Sequence, residues 1–393
     1  MKIAKAEIFQ LKLNNFRPVI CKITTDDGIY GFGEAAVAYG RGSNAAVGML
    51  EELAPLLIGK DPLDNEVIWE MLYKDTFWGQ GGGTIVFAAI SAIDIALMDI
   101  KGKVFQVPVY KLLGGKHNES LRTYASQLQS GWGSEIHACG KPQEYAHAAR
   151  LAVDEGFSAI KMDFINFDRN GHRINHKKET LGVLRPDVYN MVRERLAAVR
   201  DEIGYGIDLI MENHCNSDLV SAVQLAELCE EYHIMFLEEA VTPLNQKLSA
   251  RLREKTKIPL AGGERIYTRW GYAGFFEQSA LQVIQPDLGT CGGLTEGKKI
   301  CDMAHVYDVR VQAHVCGSPI IAAAALQLEA AIPNFCIHEL HFVNTMKGNI
   351  SFCKYDYQPV NGYYQVPELS GIGQELTDEA MRNAVCYRVF AEN

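Results

Sequence analysis

Asp208-Leu209-Ile210-Met211-Glu212 is a short apolar run that closes on a carboxylate, and the same shape returns at 234–238 and at 258–264. The closing glutamates, Glu212, Glu238 and Glu264, recur every 26 residues. Downstream, runs at 283–287, 309–314 and 335–339 end at Asp287, His314 and Glu339, at steps of 23, 27 and 25. Upstream, 122–126 and 159–163 add two more, making eight. Helix-like stretches separate the runs. One strand and one helix per step gives a parallel sheet, and eight such units close into a barrel. One interval is irregular: Lys161 to Glu212 spans 51 residues and contains the polar stretch Asn166-Phe167-Asp168-Arg169-Asn170-Gly171-His172. An insertion after the second strand lies on the catalytic face of a barrel. It reads equally as a lid and as a surface excursion.

The first third of the chain reads differently. Strand-like alternation at 2–13 and 19–25 is followed by the turn signal Asp26-Asp27-Gly28, which implies a small antiparallel sheet. Gly31-Phe32-Gly33-Glu34 ends the next strand. Apolar helical spacing follows at 45–58 and 84–100, and Pro108 and Gly114-Gly115 punctuate its end. A length of 393 residues suits a barrel of about 250 residues with a second domain. After Glu339 the chain runs on through Gly362-Tyr363-Tyr364, which suggests a tail packing back on the N-terminal region.

Composition narrows the class. With 48% hydrophobic and 22% charged residues, the chain is neither disordered nor collagen-like. A net charge of −10 argues against nucleic acid as a partner, because phosphate binding needs a basic footprint. A small anionic substrate stays open, since one local cation overrides net charge. The ten cysteines stand singly with no Cys-x-x-Cys pair, which reads as reduced thiols in a cytoplasmic protein. The N-terminus lacks a signal-peptide core. No apolar run reaches the roughly 18 residues of a membrane span; the richest, 85–97, contains Ser91 and Asp94.

In a parallel barrel, residues at the C-terminal ends of strands converge on one mouth. Adjacent strands lie about 4.8 Å apart, so Glu212, Glu238 and Glu264 would repel one another strongly unless a cation sat between them. Hard divalent ions take oxygen ligands, and Mg²⁺ keeps positions open for water or substrate. The alternative for each glutamate is an ordinary salt bridge. Asp287 one strand before His314 has the logic of a base dyad, in which a carboxylate fixes the imidazole tautomer; the alternative is a satisfied core histidine. His214 lies two residues after Glu212, which strand alternation would put on the same side. It reads as a second proton donor or as a loop histidine. Glu339 completes the set on the eighth run.

Several segments resemble the enolase superfamily, mandelate racemase subgroup, and in particular its sugar-acid dehydratases of the galactonate dehydratase type. They are Gly31-Phe32-Gly33-Glu34-Ala35, Ser91-Ala92-Ile93-Asp94-Ile95-Ala96-Leu97-Met98-Asp99-Ile100-Lys101-Gly102-Lys103 and Pro108-Val109-Tyr110-Lys111-Leu112-Leu113-Gly114-Gly115. Leu237-Glu238-Glu239, Gly263-Glu264-Arg265 and Gln285-Pro286-Asp287 follow in order. The resemblance implies a modified (β/α)7β TIM barrel under an N-terminal α+β capping domain. The corresponding boundaries are 1–120 for the capping domain, 121–350 for the barrel and 351–393 for a C-terminal segment packing back on the cap. It also implies one Mg²⁺ per subunit on Glu212, Glu238 and Glu264, a base dyad of His314 and Asp287, and Glu339 as the acid that hydrogen-bonds an enolate oxygen. A homo-oligomer is expected by family analogy alone. Capping-domain loops select the substrate in this family, which brings Tyr39, Arg41 and Trp78-Gly79 into view.

One departure is informative. Racemases of the subgroup carry Lys-x-Lys on the second barrel strand, whereas this chain has Lys161-Met162-Asp163. Asp163 stands where the second base would be, and an unperturbed aspartate is far less basic than lysine. His214 matches the histidine that galactonate-type dehydratases use as leaving-group acid. Lys161 reads either as positive charge near a substrate carboxylate or as a strand-end lysine paired with Asp163 or Glu212. The expectation is a Mg²⁺-dependent dehydratase acting on an acid sugar, an aldonate or aldarate, through an enediolate to a 2-keto-3-deoxy acid. An epimerase, racemase or cycloisomerase using the same enolate is the alternative enzyme, and a catalytically weak sugar-acid sensor is the alternative of another class.

Overall fold

The computed structural model describes residues 1–391. Near the N-terminus, strands Ile3–Gln10, Val19–Thr25 and Tyr30–Ala35 form an antiparallel sheet, with Asp26-Asp27-Gly28 in the turn between the last two. A fourth strand, Cys386–Ala391, pairs antiparallel with Ile3–Gln10, so the far end of the chain returns to the edge of this sheet. Helices Ser43–Leu53, Asn65–Lys74 and Thr84–Val104 pack with it around their own apolar cluster. The Gly-x-Gly spacing in the third strand has a steric cause. A Cβ at Gly31 or Gly33 would overlap the carbonyl oxygens of Ala96 and Ala92, because the long helix lies directly on that strand.

Eight parallel strands form the second unit: Ser120–Ser126, Ala159–Asp163, Asp208–Glu212, Leu237–Glu238, Leu260–Gly262, Val283–Ile284, Arg310–Val311 and His338–His341. Each pairs with the next in sequence as far as the seventh, and the eighth pairs with the first. The ring closes where Val311 bridges Phe335, with the Cys336 N–H donating to the Val311 carbonyl at 2.7 Å. Helices Pro142–Asp154, Pro186–Ile203, Leu219–Glu231, Gln246–Arg253, Thr268–Glu277, Gly293–Val306 and Pro319–Ala331 follow the first seven strands. The barrel is therefore the expected (β/α)7β form. Its interior is filled by Tyr124, Ala159, Ile210, Phe236, Ala261, Val283 and Ile337. Three strands are shorter than their sequence runs: Glu264, Asp287 and His314 lie two or three residues past the last paired residue, in the loops of the mouth.

Buried polar residues of the first unit dock it onto the barrel. Ser91 accepts the Gly292 N–H at 2.9 Å and Asp94 accepts the Thr295 N–H at 2.9 Å, at the start of helix Gly293–Val306. Glu34 accepts the Ser318 N–H and hydroxyl and the Ile321 N–H at the start of helix Pro319–Ala331. Helix N-termini leave backbone N–H groups unsatisfied and carry partial positive charge, so these carboxylates complete two barrel helices from outside the barrel. Burial pushes both up to about 7, against the pull of those donors. All ten cysteines are free. No helix among the described residues is long and apolar enough to cross a membrane.

Candidate active site

The mouth of the barrel gathers the residues singled out above. One carboxylate oxygen from each of Glu212, Glu238 and Glu264 lies within 4.8 Å of the others. Glu212 and Glu238 are fully enclosed. Glu238 Oε2 has no hydrogen-bond partner, and Glu212 Oε2 meets only the charges of Lys161 Nζ at 3.1 Å and His214 Nε2 at 3.9 Å. Burial and the neighbouring Glu212 hold the Glu238 carboxyl well above the usual range. Burial also raises Glu264, against the pull of His314. Burial opposes ionisation of Glu212 too, but the His214 and Lys161 charges hold it well below. A compact, buried, all-oxygen cluster with orphaned acceptors is the donor set of a hard divalent cation, and these three residues fit one.

Lys161 stands on the second strand with its Nζ 2.5 Å from Glu238, 3.0 Å from Glu339 and 3.1 Å from Glu212. Burial disfavours its charge, yet Glu238 and Glu339 together hold its pKa well above 10.5. Of the two partners expected for a structural lysine, Glu212 is present and Asp163 is not. Glu339 accepts from the Ser126 hydroxyl at 2.6 Å and from the Val315 N–H at 3.0 Å. Although burial works against it, Lys161 and His314 bring Glu339 down to about 2.

Two histidine–aspartate pairs flank the cluster. His314 Nδ1 lies 2.7 Å from Asp287, and its Nε2 is 3.4 Å from Glu264. His214 Nδ1 lies 2.9 Å from Asp163, and its Nε2 faces Glu212. Burial would lower both imidazoles. Glu264 and Asp287 raise His314 to about 10, and Glu212 and Asp163 raise His214 to about 9.

Asp163, which stands where the second base would be, backs His214, and one expectation is corrected. Strand alternation does not place His214, because its strand ends at Glu212. The ring is aimed by a turn in which His214 (φ +47°) and Cys215 (φ +56°) both take left-handed backbone. Asp163 is held in turn by the Ile165 N–H on its side chain and by Gln129, which accepts its own N–H.

The insertion after the second strand is ordered by the buried Arg195, whose guanidinium donates to the carbonyls of Gly140, Phe164, Phe167 and Asp168. Its Arg173 donates to the Tyr39 hydroxyl at 2.9 Å, tying it to the N-terminal unit. Arg41 and Trp78 are exposed. Sequence reasoning missed two histidines. His176 in the insertion is half-buried and lies within reach of the Asp163 and His214 charges. His341 lies two residues past Glu339 on the eighth strand, and that period-two spacing was a usable signal.

Comparison with known proteins fits this architecture. Residues 11–114 match the mandelate racemase / muconate lactonizing enzyme N-terminal domain, and 144–380 match the enolase C-terminal domain-like model. The chain belongs to the mandelate racemase / muconate lactonizing enzyme family of the enolase superfamily. Within it, the chain is 32% identical to a D-xylonate dehydratase of Haloferax volcanii, over 93% of this chain and 85% of that one. It is also 32% identical to a D-galactonate dehydratase of Ralstonia nicotianae, over 97% and 93%. Among solved structures, an enolase-superfamily member from Salmonella Typhimurium is 51% identical, with a TM-score of 0.96 and 99% of each chain covered. The 3,6-anhydro-D-galactonate cycloisomerase of Zobellia galactanivorans is 30% identical, with a TM-score of 0.83, over 98% and 99%.

Proposed function

We propose that this enzyme is a Mg²⁺-dependent dehydratase of an acid sugar, an aldonate or aldarate, that yields a 2-keto-3-deoxy acid. One observation carries the reading: two aspartate-backed histidines turn their Nε2 atoms towards a buried three-carboxylate cluster from different strands. The relatives named D-galactonate and D-xylonate dehydratases support the reaction class.

Glu212, Glu238 and Glu264 would hold one Mg²⁺ per chain. Bound there, it supplies Lewis-acid stabilisation of the negative charge that develops on the substrate carboxylate. In its neutral form His314 takes the proton α to that carboxylate at Nε2, with Asp287 on Nδ1 fixing the tautomer. His214 delivers a proton from Nε2 to the β-hydroxyl, which leaves as water, and Asp163 stabilises the imidazolium beforehand. The resulting enol tautomerises to the keto acid. Lys161 offsets charge on the cluster side, and Glu339, once protonated, would hydrogen-bond an enolate oxygen.

A second reading is epimerisation or cycloisomerisation through the same enolate. The His214–Asp163 pair favours it, since a histidine opposite the base can return a proton to carbon. So does the likeness to a cycloisomerase.

The test incubates the protein and Mg²⁺ with a panel of C5 and C6 aldonates and aldarates in ²H₂O. It assays 2-keto-3-deoxy products and α-deuterium together. Dehydration of one or a few stereoisomers is the expected result. Exchange without dehydration moves the assignment to the second reading, and binding without either returns a sensor.

A further inference from the structure

The mouth holds a third histidine with a different character. His341 closes the eighth strand, and its Nδ1 accepts the Val343 N–H at 3.2 Å, capping the short helical turn Phe342–Thr345. A ring nitrogen that accepts a backbone N–H carries no proton, so in the neutral ring the proton sits on Nε2. Nε2 has no hydrogen-bond partner among the described residues, and it is not sealed from solvent. The residue is 8% exposed and packs against Phe342, the rings tilted by 32° with centroids 4.8 Å apart. It lies close enough to Glu339, His314, Lys161 and His214 for their charges to act on it. Burial holds its pKa down at about 3; Glu339 works against this, and the three cations reinforce it. His214 and His314 thus each have an aspartate on Nδ1, while His341 has an N–H there. The same side chain is built for charge in two places and against charge in the third.

We propose that His341 is a substrate-binding residue: a fixed, uncharged N–H donor whose Nε2 hydrogen-bonds an oxygen of the bound acid sugar. The inference rests on the acid-sugar reading of the site. It assigns His341 to recognition, leaving proton transfer to the other two histidines. A weakly basic donor orients an oxygen without competing for the abstracted proton, which a third basic imidazole would do.

Two substitutions separate this role from helix capping. In His341→Asn the amide oxygen keeps an acceptor for the Val343 N–H, as asparagine does at helix starts, but nothing reaches the Nε2 position. In His341→Gln the longer amide carries a donor to that position and gives up the cap. Expected for His341→Asn are an unchanged melting temperature and a loss of about 10- to 100-fold in kcat/KM and in affinity for the acid. Affinity is read by calorimetry in a His314→Asn background, where the acid stays unreacted. Expected for His341→Gln are a lower melting temperature and affinity within a few-fold of the parent. An Asn variant that binds like the parent, or a Gln variant as weak as Asn, overturns the proposal. A parent that neither binds nor converts any acid overturns the acid-sugar reading, and this inference with it.

Discussion

The two histidine–aspartate pairs of the mouth look alike and are held in different ways. His314 and Asp287 lie in the loops after adjacent strands, and the His314 N–H donates to the Pro286 carbonyl, so the backbone that carries the histidine is tied to the backbone that carries its aspartate. His214 rides on two consecutive left-handed residues, a conformation costing on the order of 1–3 kcal/mol each outside glycine. Its partner Asp163 comes from the neighbouring strand. The helix after His314 is completed by Glu34 from the N-terminal unit, whereas the helix after His214 is capped locally by Asp218, which accepts the Val220 and Ser221 N–H groups. The helix start beside His314 therefore depends on docking between the two units, and the one beside His214 is capped within the barrel. The His214 side chain is also more open, at 29% against 17%, which suits the proposed departure of water from that side.

Removing the two imidazoles in turn is the strongest way to break this comparison. His314→Asn should lose both dehydration and α-deuterium exchange, by about 10³-fold or more, because no base remains at carbon. His214→Asn should lose about 10²- to 10³-fold in dehydration and keep α-exchange near the parent level, since enolate formation does not need the acid. Product assay and mass spectrometry of recovered substrate report the two rates. Equal loss of exchange in both variants would mean that the pairs act symmetrically, and the epimerase reading would take precedence.

The aspartates sharpen the same contrast at smaller amplitude. Asp287→Asn and Asp163→Asn keep the shape and remove the charge that supports each imidazolium. Each should lower kcat about 10- to 100-fold with KM little changed, and only Asp287→Asn should slow exchange. A KM effect without a kcat effect would mark either aspartate as a part of the substrate pocket, with no hold on its histidine.

How far the sequence led follows from which interactions are periodic. The steps of 26 residues report one strand and one helix each, so the barrel and the gathering of Glu212, Glu238 and Glu264 at its mouth were legible, as was Asp287 one strand before His314. The Asp163–His214 contact was not, because it depends on left-handed turn residues that are not glycine and leave no compositional mark. Nor was the link from Arg173 to Tyr39, which joins an aperiodic insertion to a loop 134 residues away. Glu34 was visible only as part of a motif. Its contacts with Ser318 and Ile321 lie 284 and 287 residues along the chain, where no local rule reaches.

The smallest expected effect compares the two helix caps. Asp218→Ala removes a local cap and should cost about 1 kcal/mol of stability, by the same amount at every pH from 5 to 8. Glu34 should behave differently. Its carboxyl is raised from 4.5 to about 7 in the folded protein, chiefly by burial. Between those values the folded state holds a proton that the unfolded state has released. The associated stabilisation is complete below about pH 4.5 and is lost as pH rises through 7, at up to about 1.4 kcal/mol per unit. Glu34→Gln cannot titrate, so the stability of the parent relative to this variant should fall by about 3 kcal/mol across that window and stay level above it. Denaturant unfolding at half-unit steps of pH measures the difference. A difference that stays constant from pH 5 to 8 would show that Glu34 remains ionised, acting as an anionic cap on the helix that follows His314. The His314 side would then be held to the N-terminal unit by charge, and the contrast with Asp218 would reduce to distance along the chain.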